Sequence, residues 1–176
     1  IKKIQPNLMR NIMLRMKDYI KDYERLEIFV KTYIGRVEKK YSEAVSNYCF
    51  ALIAFEKYDY DTVLKLLVTE KQIIRFPNEY FKLDAYRLVL KTLVETEQKE
   101  KIEVIINRFR VYLNDDYKNK ALFDKHKRFI IYLNRLLTAI EKTDETALHD
   151  LKRSINNMKD TIDTKWLLQK VTEEMV

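Results

Sequence analysis

The residues best suited to chemistry are two histidines and one cysteine. His126 lies on the apolar face of a long helical pattern, and His149 precedes Asp150 on a short amphipathic one. Cys49 sits in the apolar run SNYCFALIAF, where a thiol usually packs as a small hydrophobe. No HExxH or CxxC spacing joins these groups. We therefore predict no zinc site, no cofactor and no catalytic centre.

The paired carboxylates have a structural interpretation. Asp59 with Asp61, and Asp115 with Asp116, stand between helical patterns, where acidic side chains form turns and cap helices. Phosphate-binding loops need several glycines, and the chain has one, Gly35. The sequence therefore predicts a protein that is not an enzyme.

The composition favours amphipathic helices packed on one another. Of 176 residues, one is glycine and two are proline, while 47% are hydrophobic and 35% are charged, which disfavours sheets. No apolar run approaches the roughly 18 residues of a membrane span, so we expect a cytoplasmic protein without membrane insertion. The chain begins with Ile1 rather than methionine, and we expect a fragment of a longer protein.

Apolar residues recur at helical spacing along nearly the whole chain and predict nine helices. Asn78 and Asp144 are expected to cap two of them, and Gly35 is expected to end the second in a left-handed conformation. The predicted spans are 7–17, 22–33, 38–57, 61–75 (ended by Pro77), 78–95, 100–113, 118–141, a helix after residue 144, and a short one around Trp166.

Three segments of the chain share one apolar pattern. The segments are KDYERLEIFV (21–30), YDYDTVLKLL (58–67) and EQKEKIEVII (97–106). Leu26, Val63 and Ile102 align, and they are 63 − 26 = 37 and 102 − 63 = 39 residues apart. This periodicity predicts a repeat of about two helices.

The middle unit resembles a tetratricopeptide repeat. That family turns between its helices through Gly-Asp-Tyr, an acidic residue and a small residue, and residues 58–63 read YDYDTV here. Ala51 occupies the small position of the first helix. The unit departs from the family pattern at Tyr58, which replaces the glycine, at Val63, and in repeat spacings that exceed the family's 34 residues. The resemblance covers roughly residues 8–113, and residues after it are similar to C-terminal parts of bacterial helical-repeat proteins of unassigned function.

The resemblance implies an all-α fold, a right-handed array of antiparallel helical hairpins, or α-solenoid, with a C-terminal capping helix pair. We expect one domain, 1–176, with hairpins at 7–35, 38–77 and 78–114 and a long helix plus cap at 117–176. The series Leu148, Leu151, Ile155, Met158 and Ile162 has the spacing of close helix pairing. It suits either a cap that seals the array or a seam for self-association.

The resemblance also implies a concave groove that binds a protein or peptide partner. The family's groove positions fall on Asn11, Arg15, Tyr48, Arg87 and Lys91, together with Leu52 and Phe55. Their basic and aromatic character would suit a peptide with acidic side chains or a free carboxylate. We therefore expect Arg87→Glu or Lys91→Glu to abolish partner binding without lowering stability. Alternatively, the apolar members are core residues and the charges form a solvated face.

The positive charge supports a second functional hypothesis. The formal net charge is +7, and its excess is densest in residues 98–135. A nucleic-acid-binding module would use the segment 108–128, with Tyr112 and Tyr117 as aromatic platforms, although acidic residues are interspersed. The candidate anionic-ligand patch consists of Arg108, Arg110, Lys118, Lys120, Lys125, Lys127 and Arg128.

Overall fold

The computed structural model describes residues 3–69, 72–73, 76, 78–115, 120–158 and 162–175. A 3₁₀ turn, Ile34–Arg36, follows the second helix, and two strands, β1 (Val68–Thr69) and β2 (Gln72–Ile73), follow the fourth. The nine α-helices within the described residues are α1 (Pro6–Tyr19), α2 (Tyr23–Tyr33), α3 (Lys39–Glu56), α4 (Tyr60–Leu67), α5 (Glu79–Glu95), α6 (Lys99–Asp115), α7 (Lys120–Lys142), α8 (Glu145–Asn157) and α9 (Thr164–Glu173). The predicted all-α class is confirmed.

The chain forms two compact units, residues 1–105 and 106–176. Helices α1 to α5 belong to the first unit and α7 to α9 to the second, while α6 contains the residue at which they divide. Over the described stretches, none of the helices combines the length and apolar character needed to cross a membrane.

Helix α3 is the centre of the first unit. It packs against α1, α2, α4 and α5. Its Tyr48 ring meets the Phe81 ring of α5 edge to face, with centroids 5.1 Å apart. Met9 and Met13 of α1 and Leu26 of α2 are fully buried in the same core. Burial of a side chain of this size contributes about 1.5–3 kcal/mol, so contacts on several sides explain the nearly continuous apolar sequence of α3.

Helix α7 supplies most of the core of the second unit. It packs against α8 and α9, and α8 also packs against α9. Phe129 of α7 and Trp166 of α9 have ring centroids 6.4 Å apart. On α8, Leu148, Leu151 and Ile155 are buried within the chain. These three side chains therefore serve internal packing, and self-association through them would require their exposure.

The predicted C-terminal series does not continue past Ile155. Helix α8 ends at Asn157, and the backbone of Met158 is extended, with φ −95° and ψ 115°. Asn156 and Asn157 are weak helix formers, which explains the end of the helix. Met158 is exposed, and Ile162 lies beyond α8, so neither extends its apolar stripe.

The predicted fourth helix is wrong beyond Leu67. The sequence predicts a helix over 61–75, but the backbone turns extended at Val68, with φ −120° and ψ 122°. Val68 pairs with Ile73 in a short antiparallel ladder. Both residues are β-branched and favour extended backbone, which explains the difference. Pro77, which was expected to end this helix, lies outside the described residues.

The turn between α3 and α4 recurs twice along the chain. Tyr58, Glu97 and Thr143 have left-handed φ values of 60°, 54° and 51°. In each turn the next N–H donates to the carbonyl five residues earlier, which satisfies the end of the preceding helix. These bonds are Asp59 N to Ala54 O at 2.9 Å, Gln98 N to Leu93 O at 2.9 Å, and Asp144 N to Ala139 O at 3.0 Å.

Each of the three aligned segments contains the start of a helix, and the three starts fall at equivalent positions of the alignment. Helices α2, α4 and α6 start directly after Asp22, Asp59 and Gln98, which are 37 and 39 residues apart. The predicted caps Asn78 and Asp144 are confirmed, since the Asn78 side chain accepts from Tyr80 N and Phe81 N and that of Asp144 accepts from Ala147 N.

The only glycine does not adopt the left-handed conformation that the sequence predicts for it. Gly35 lies in the 3₁₀ turn Ile34–Arg36 after α2, and no glycine has positive φ. Helix α2 ends at the right-handed Ile34, whose N–H donates to Val30 O, and the Val37 N–H then closes the 3₁₀ turn by donating to Ile34 O at 3.0 Å. Within the described residues, the positions with positive φ carry tyrosine, glutamate, threonine and, at Asp163, aspartate instead.

The cap of α4 should make a pH-dependent contribution to stability. The Asp59 carboxylate accepts from Thr62 N at 3.2 Å, and hydrogen bonds from Thr62 lower the pKa of Asp59 below its ordinary 3.8. A carboxylate with a lowered folded-state pKa stabilises the fold above the unfolded value and loses this contribution as the pH falls through the folded value. We expect Asp59→Ala to lower the Tm at neutral pH, with a difference from wild type that shrinks below pH 3.8.

Thermal melts over this pH range check the prediction. Asp59→Asn is the matched control, because it keeps a capping acceptor that does not titrate. A constant difference between wild type and Asp59→Ala across the acid range would contradict the assignment.

Candidate functional site

A buried ionic cluster connects α1, α3 and α5. Asp84 of α5 is 5% exposed and accepts hydrogen bonds from three side chains. Arg10 Nε donates to Asp84 Oδ2 at 2.6 Å, and the Tyr48 hydroxyl donates to the same oxygen at 2.9 Å. Arg87 Nη2 donates to Asp84 Oδ1 at 2.5 Å. A buried carboxylate needs such partners because removing its charge from water is costly, and we call these four residues the Asp84 cluster.

Two predicted groove residues belong to this cluster. Tyr48 is fully buried, and its pKa is well above the ordinary value because of burial and then the charge of Asp84. Arg87 is 12% exposed and ion-paired with Asp84. Tyr48 is therefore a core residue that no partner can reach in this state. Because glutamate at position 87 would face the Asp84 carboxylate, we expect Arg87→Glu to lower stability as well as any partner binding.

The first turns of α1 and α5 meet beside the cluster. Asn78 Nδ2 donates to Asn7 Oδ1 at 2.8 Å. The Arg10 guanidinium carbon lies 5.6 Å from the centroid of the Tyr80 ring. Together with the bond from Arg10 to Asp84, these contacts close α1 against α5 at this end.

The C-terminal turn of α3 lies between lysines from α1 and α5. Lys17 Nζ is 3.4 Å from Glu56 Oε1, and Lys91 Nζ is 4.9 Å from the centroid of the Phe55 ring. Burial lowers the pKa of Lys17, but bonds to Asp18 and Glu56 outweigh it and leave that pKa above the ordinary value. Positive charge therefore flanks a half-buried aromatic ring.

Of the remaining predicted groove residues, Leu52 is buried in the core, whereas Asn11 and Arg15 are exposed on α1. Asn11 Oδ1 accepts from Arg10 Nη1 at 2.9 Å, which connects it to the Asp84 cluster. Arg15 forms no ion pair with any residue that the structure describes. We call the half-buried residues Lys17, Phe55 and Lys91 the Phe55 surface; Arg15 is exposed on α1, about 200° around that helix from Lys17.

Five of the seven residues of the predicted anionic-ligand patch have side chains that the structure describes. The side chains of Lys118 and Lys120 lie outside what the structure describes. The other members are exposed on α6 or half-buried on α7: Arg108, Arg110, Lys125, Lys127 and Arg128. Successive helix residues point about 100° apart, so Arg110 lies about 200° around α6 from Arg108, and Arg128 lies about 100° around α7 from Lys127.

The histidines and the cysteine lie where the sequence predicts. His126 is buried with its ring edge towards Phe109, at a centroid distance of 5.9 Å, whereas His149 is exposed. Cys49 is buried, and burial raises its thiol pKa to about 12. Among the side chains that the structure describes, no three His, Cys, Asp or Glu residues come together as a metal site.

A cleft of about 400 Å³ lies between α7 and α8 in the second unit. It is a feature that the sequence did not indicate. Its lining carries charges of both signs together with the polar side chains of Asn134 and Thr138. The lining residues are Asn134, Arg135, Thr138, Ala139, Lys142, Asp144, Ala147 and Asp150.

Sequence reasoning missed Asp84 and Arg10. One signal was present, because Asp84 shares a helix face with the apolar Phe81 and Leu88, three residues before it and four after. Arg87, one turn later, was a visible partner. Arg10 is 74 residues away, and no local spacing indicates that contact.

Comparison with known proteins leaves the chain without a recognised relative, because no family model, curated protein or solved structure matches it. Functional inference therefore rests on the surfaces of the chain itself.

Proposed function

We propose that the protein is a non-catalytic protein–protein interaction scaffold of the tetratricopeptide-like type. In this proposal residues 7–114 form a right-handed array of antiparallel hairpins, and residues 117–176 add a long helix and a capping pair. Two findings support it: α3 packs on both its preceding and its following helices, and helix starts recur 37 and 39 residues apart.

The Phe55 surface is the observation that carries the binding proposal. Lys91 lies over the Phe55 ring, and Arg15 is exposed on the neighbouring α1. Carboxylates of a peptide would pair with Arg15 and Lys91, while an apolar side chain would pack on Phe55. Tyr48 and Arg87 support this surface from within, because the Asp84 cluster fixes the positions of α1 and α5.

Selection from a displayed peptide library against the immobilised protein tests this proposal. We expect the selected peptides to be acidic. Arg15→Glu combined with Lys91→Glu should weaken their binding about tenfold or more, because each reversal replaces attraction with repulsion. Fluorescence anisotropy with one labelled selected peptide measures the change.

The matched control is Lys39→Glu combined with Lys65→Glu. Both lysines are exposed, on α3 and α4, and the double change alters the net charge equally. Thermal melts establish that both double variants are folded. The proposal fails if the two variants bind the peptide equally well, or if selection yields no acidic consensus.

Binding of nucleic acid through residues 108–128 is the alternative function. No observation on the described residues favours it, because Arg108 and Arg110 point in different directions on α6. Fluorescence anisotropy with labelled single- and double-stranded mixed-sequence oligonucleotides at low salt tests this alternative, and it fails if no salt-dependent binding is measured.

A further inference from the structure

The outer face of α7 carries a regular row of basic side chains. Arg128, Arg135 and Lys142 follow one another at seven-residue intervals, which corresponds to about 10.5 Å along a helix. Ile131 and Thr138 lie between them, three residues after Arg128 and Arg135. Steps of three and four place all five residues on one helix face, and we call them the α7 basic row.

The charges of this row are not neutralised within the described chain. Arg135 and Lys142 are exposed, and Arg128 is half-buried with an Nε that makes no hydrogen bond. The Arg135 guanidinium carbon lies 5.9 Å from the Tyr132 ring centroid, a contact that orients the group without cancelling its charge. None of the three cations has an ion pair with a residue in the described ranges.

The row also contains an exposed apolar side chain. Ile131 is 55% exposed on a helix whose opposite face is buried, with Phe129 and Leu133 in the core. It lies between Arg128 and Arg135 in the row. A partner helix that lies along the row therefore meets one apolar contact between two cations.

The charge distribution at the end of the row distinguishes between anionic ligands. Arg135, Thr138 and Lys142 line the cleft on α8, and Asp144 and Asp150 line it too. A polyphosphate would be repelled by these carboxylates at the point where it meets Lys142. A polypeptide can present acidic residues to the row and a basic residue to Asp150, so the mixed charge favours a protein ligand.

We propose that the α7 basic row binds an α-helix of another protein that carries acidic residues at seven-residue intervals. Two helices share the same rise, so acidic side chains seven residues apart stay in register with Arg128, Arg135 and Lys142. An apolar residue of the partner would pack on Ile131. A second copy of this chain is a poor occupant, because a symmetric pair would oppose row to row and bring like charges together.

This proposal is independent of the Phe55 surface, which lies in the other unit. Its probe is a synthetic helical peptide of three heptads, each with one glutamate and, three residues later, one leucine on a neutral background, labelled with fluorescein. We expect the whole chain to bind it with an affinity that falls as salt rises. Arg135→Glu combined with Lys142→Glu should weaken binding about tenfold.

Reversing the charges of both the peptide and the protein gives the most discriminating test. A peptide with lysine in place of each glutamate should bind the double variant and not the wild type. Arg110→Glu combined with Lys165→Glu is the matched control, because both residues are exposed elsewhere in the second unit and the net charge changes equally. If Arg135→Glu with Lys142→Glu lowers the Tm, the neutral variant Arg135→Gln with Lys142→Gln is used instead.

Three results would overturn the proposal. The first is equal binding of the glutamate peptide to the wild type and to the double variant. The second is equal binding of a scrambled peptide whose glutamates are contiguous, since composition alone would then suffice. The third is tighter binding of a mixed-sequence oligonucleotide that is lost in the same variant, which would assign the row to nucleic acid.

Discussion

Replacing Asp84 with alanine is expected to lower the free energy of unfolding by about 3–5 kcal/mol. The side chains of Arg10 and Arg87 are only 16% and 12% exposed, and both donate to this carboxylate. Without it, two guanidinium groups remain close together in a mostly buried place. Charge repulsion and lost hydrogen bonds then act in the same direction. Urea unfolding followed by circular dichroism measures the loss.

Three further variants separate the contributions within the cluster. Tyr48→Phe removes one hydrogen bond to a charged group and should cost about 1.5–3 kcal/mol. The triple variant Arg10→Met, Asp84→Leu and Arg87→Met should be far less destabilised than Asp84→Ala, because it removes every buried charge together. Glu43→Ala, exposed on α3, is the control and should stay within about 0.5 kcal/mol of wild type. A loss below about 1 kcal/mol for Asp84→Ala would show that the Asp84 carboxylate is not needed to compensate the charges of Arg10 and Arg87.

Glycine at the three left-handed turn positions is expected to stabilise the protein. Tyr58, Glu97 and Thr143 have positive φ, which costs a residue with a Cβ about 1–2 kcal/mol, partly offset by the greater chain entropy of glycine when unfolded. We expect a gain of about 0.5–1 kcal/mol at each site, largest for Thr143 because it is β-branched. The sites are far apart in sequence, so the triple variant should gain about 2 kcal/mol, or roughly 4–8 °C in Tm.

Two substitutions at positions without positive φ serve as controls for this series. Glu103 is exposed in the interior of α6 and does not have positive φ. Glu103→Gly should therefore destabilise the protein by about 1 kcal/mol, because glycine there relieves no backbone strain and weakens the helix. Gly35→Ala should stabilise slightly, since a Cβ at Gly35 meets nothing within 4 Å and its φ is not left-handed. Differential scanning calorimetry compares all variants. A lower Tm for Thr143→Gly would contradict the strain argument.

Local signals predicted the helices well because they act over a few residues. Asn78 and Asp144 cap helices as their types and positions indicate, and the apolar spacing placed most helices within a few residues. The errors occurred where local preferences compete. Val68 and Ile73 favour extended backbone inside an apolar pattern that also fits a helix, and nothing near Gly35 distinguishes a 3₁₀ turn from a left-handed one.

The candidate sites were less predictable because they depend on contacts between distant residues. Tyr48 and Arg87 have the chemistry of binding residues, and only the approach of Arg10 and Asp84 shows that they are used internally. The α7 basic row could have been found from its seven-residue spacing. Its significance depends on the burial of the opposite face and on the cleft beside α8, which only the three-dimensional structure shows.

The burial of Cys49 has a practical consequence for reagent chemistry. It is the only cysteine of the chain, it has no accessible surface, and its pKa of about 12 keeps it in the unreactive thiol form. Alkylating reagents therefore reach it only when α3 separates from the helices around it. The rate at which Cys49 is labelled therefore reports how often the first unit opens. A second cysteine introduced on the surface can be labelled selectively, because Cys49 stays unreactive in the folded protein.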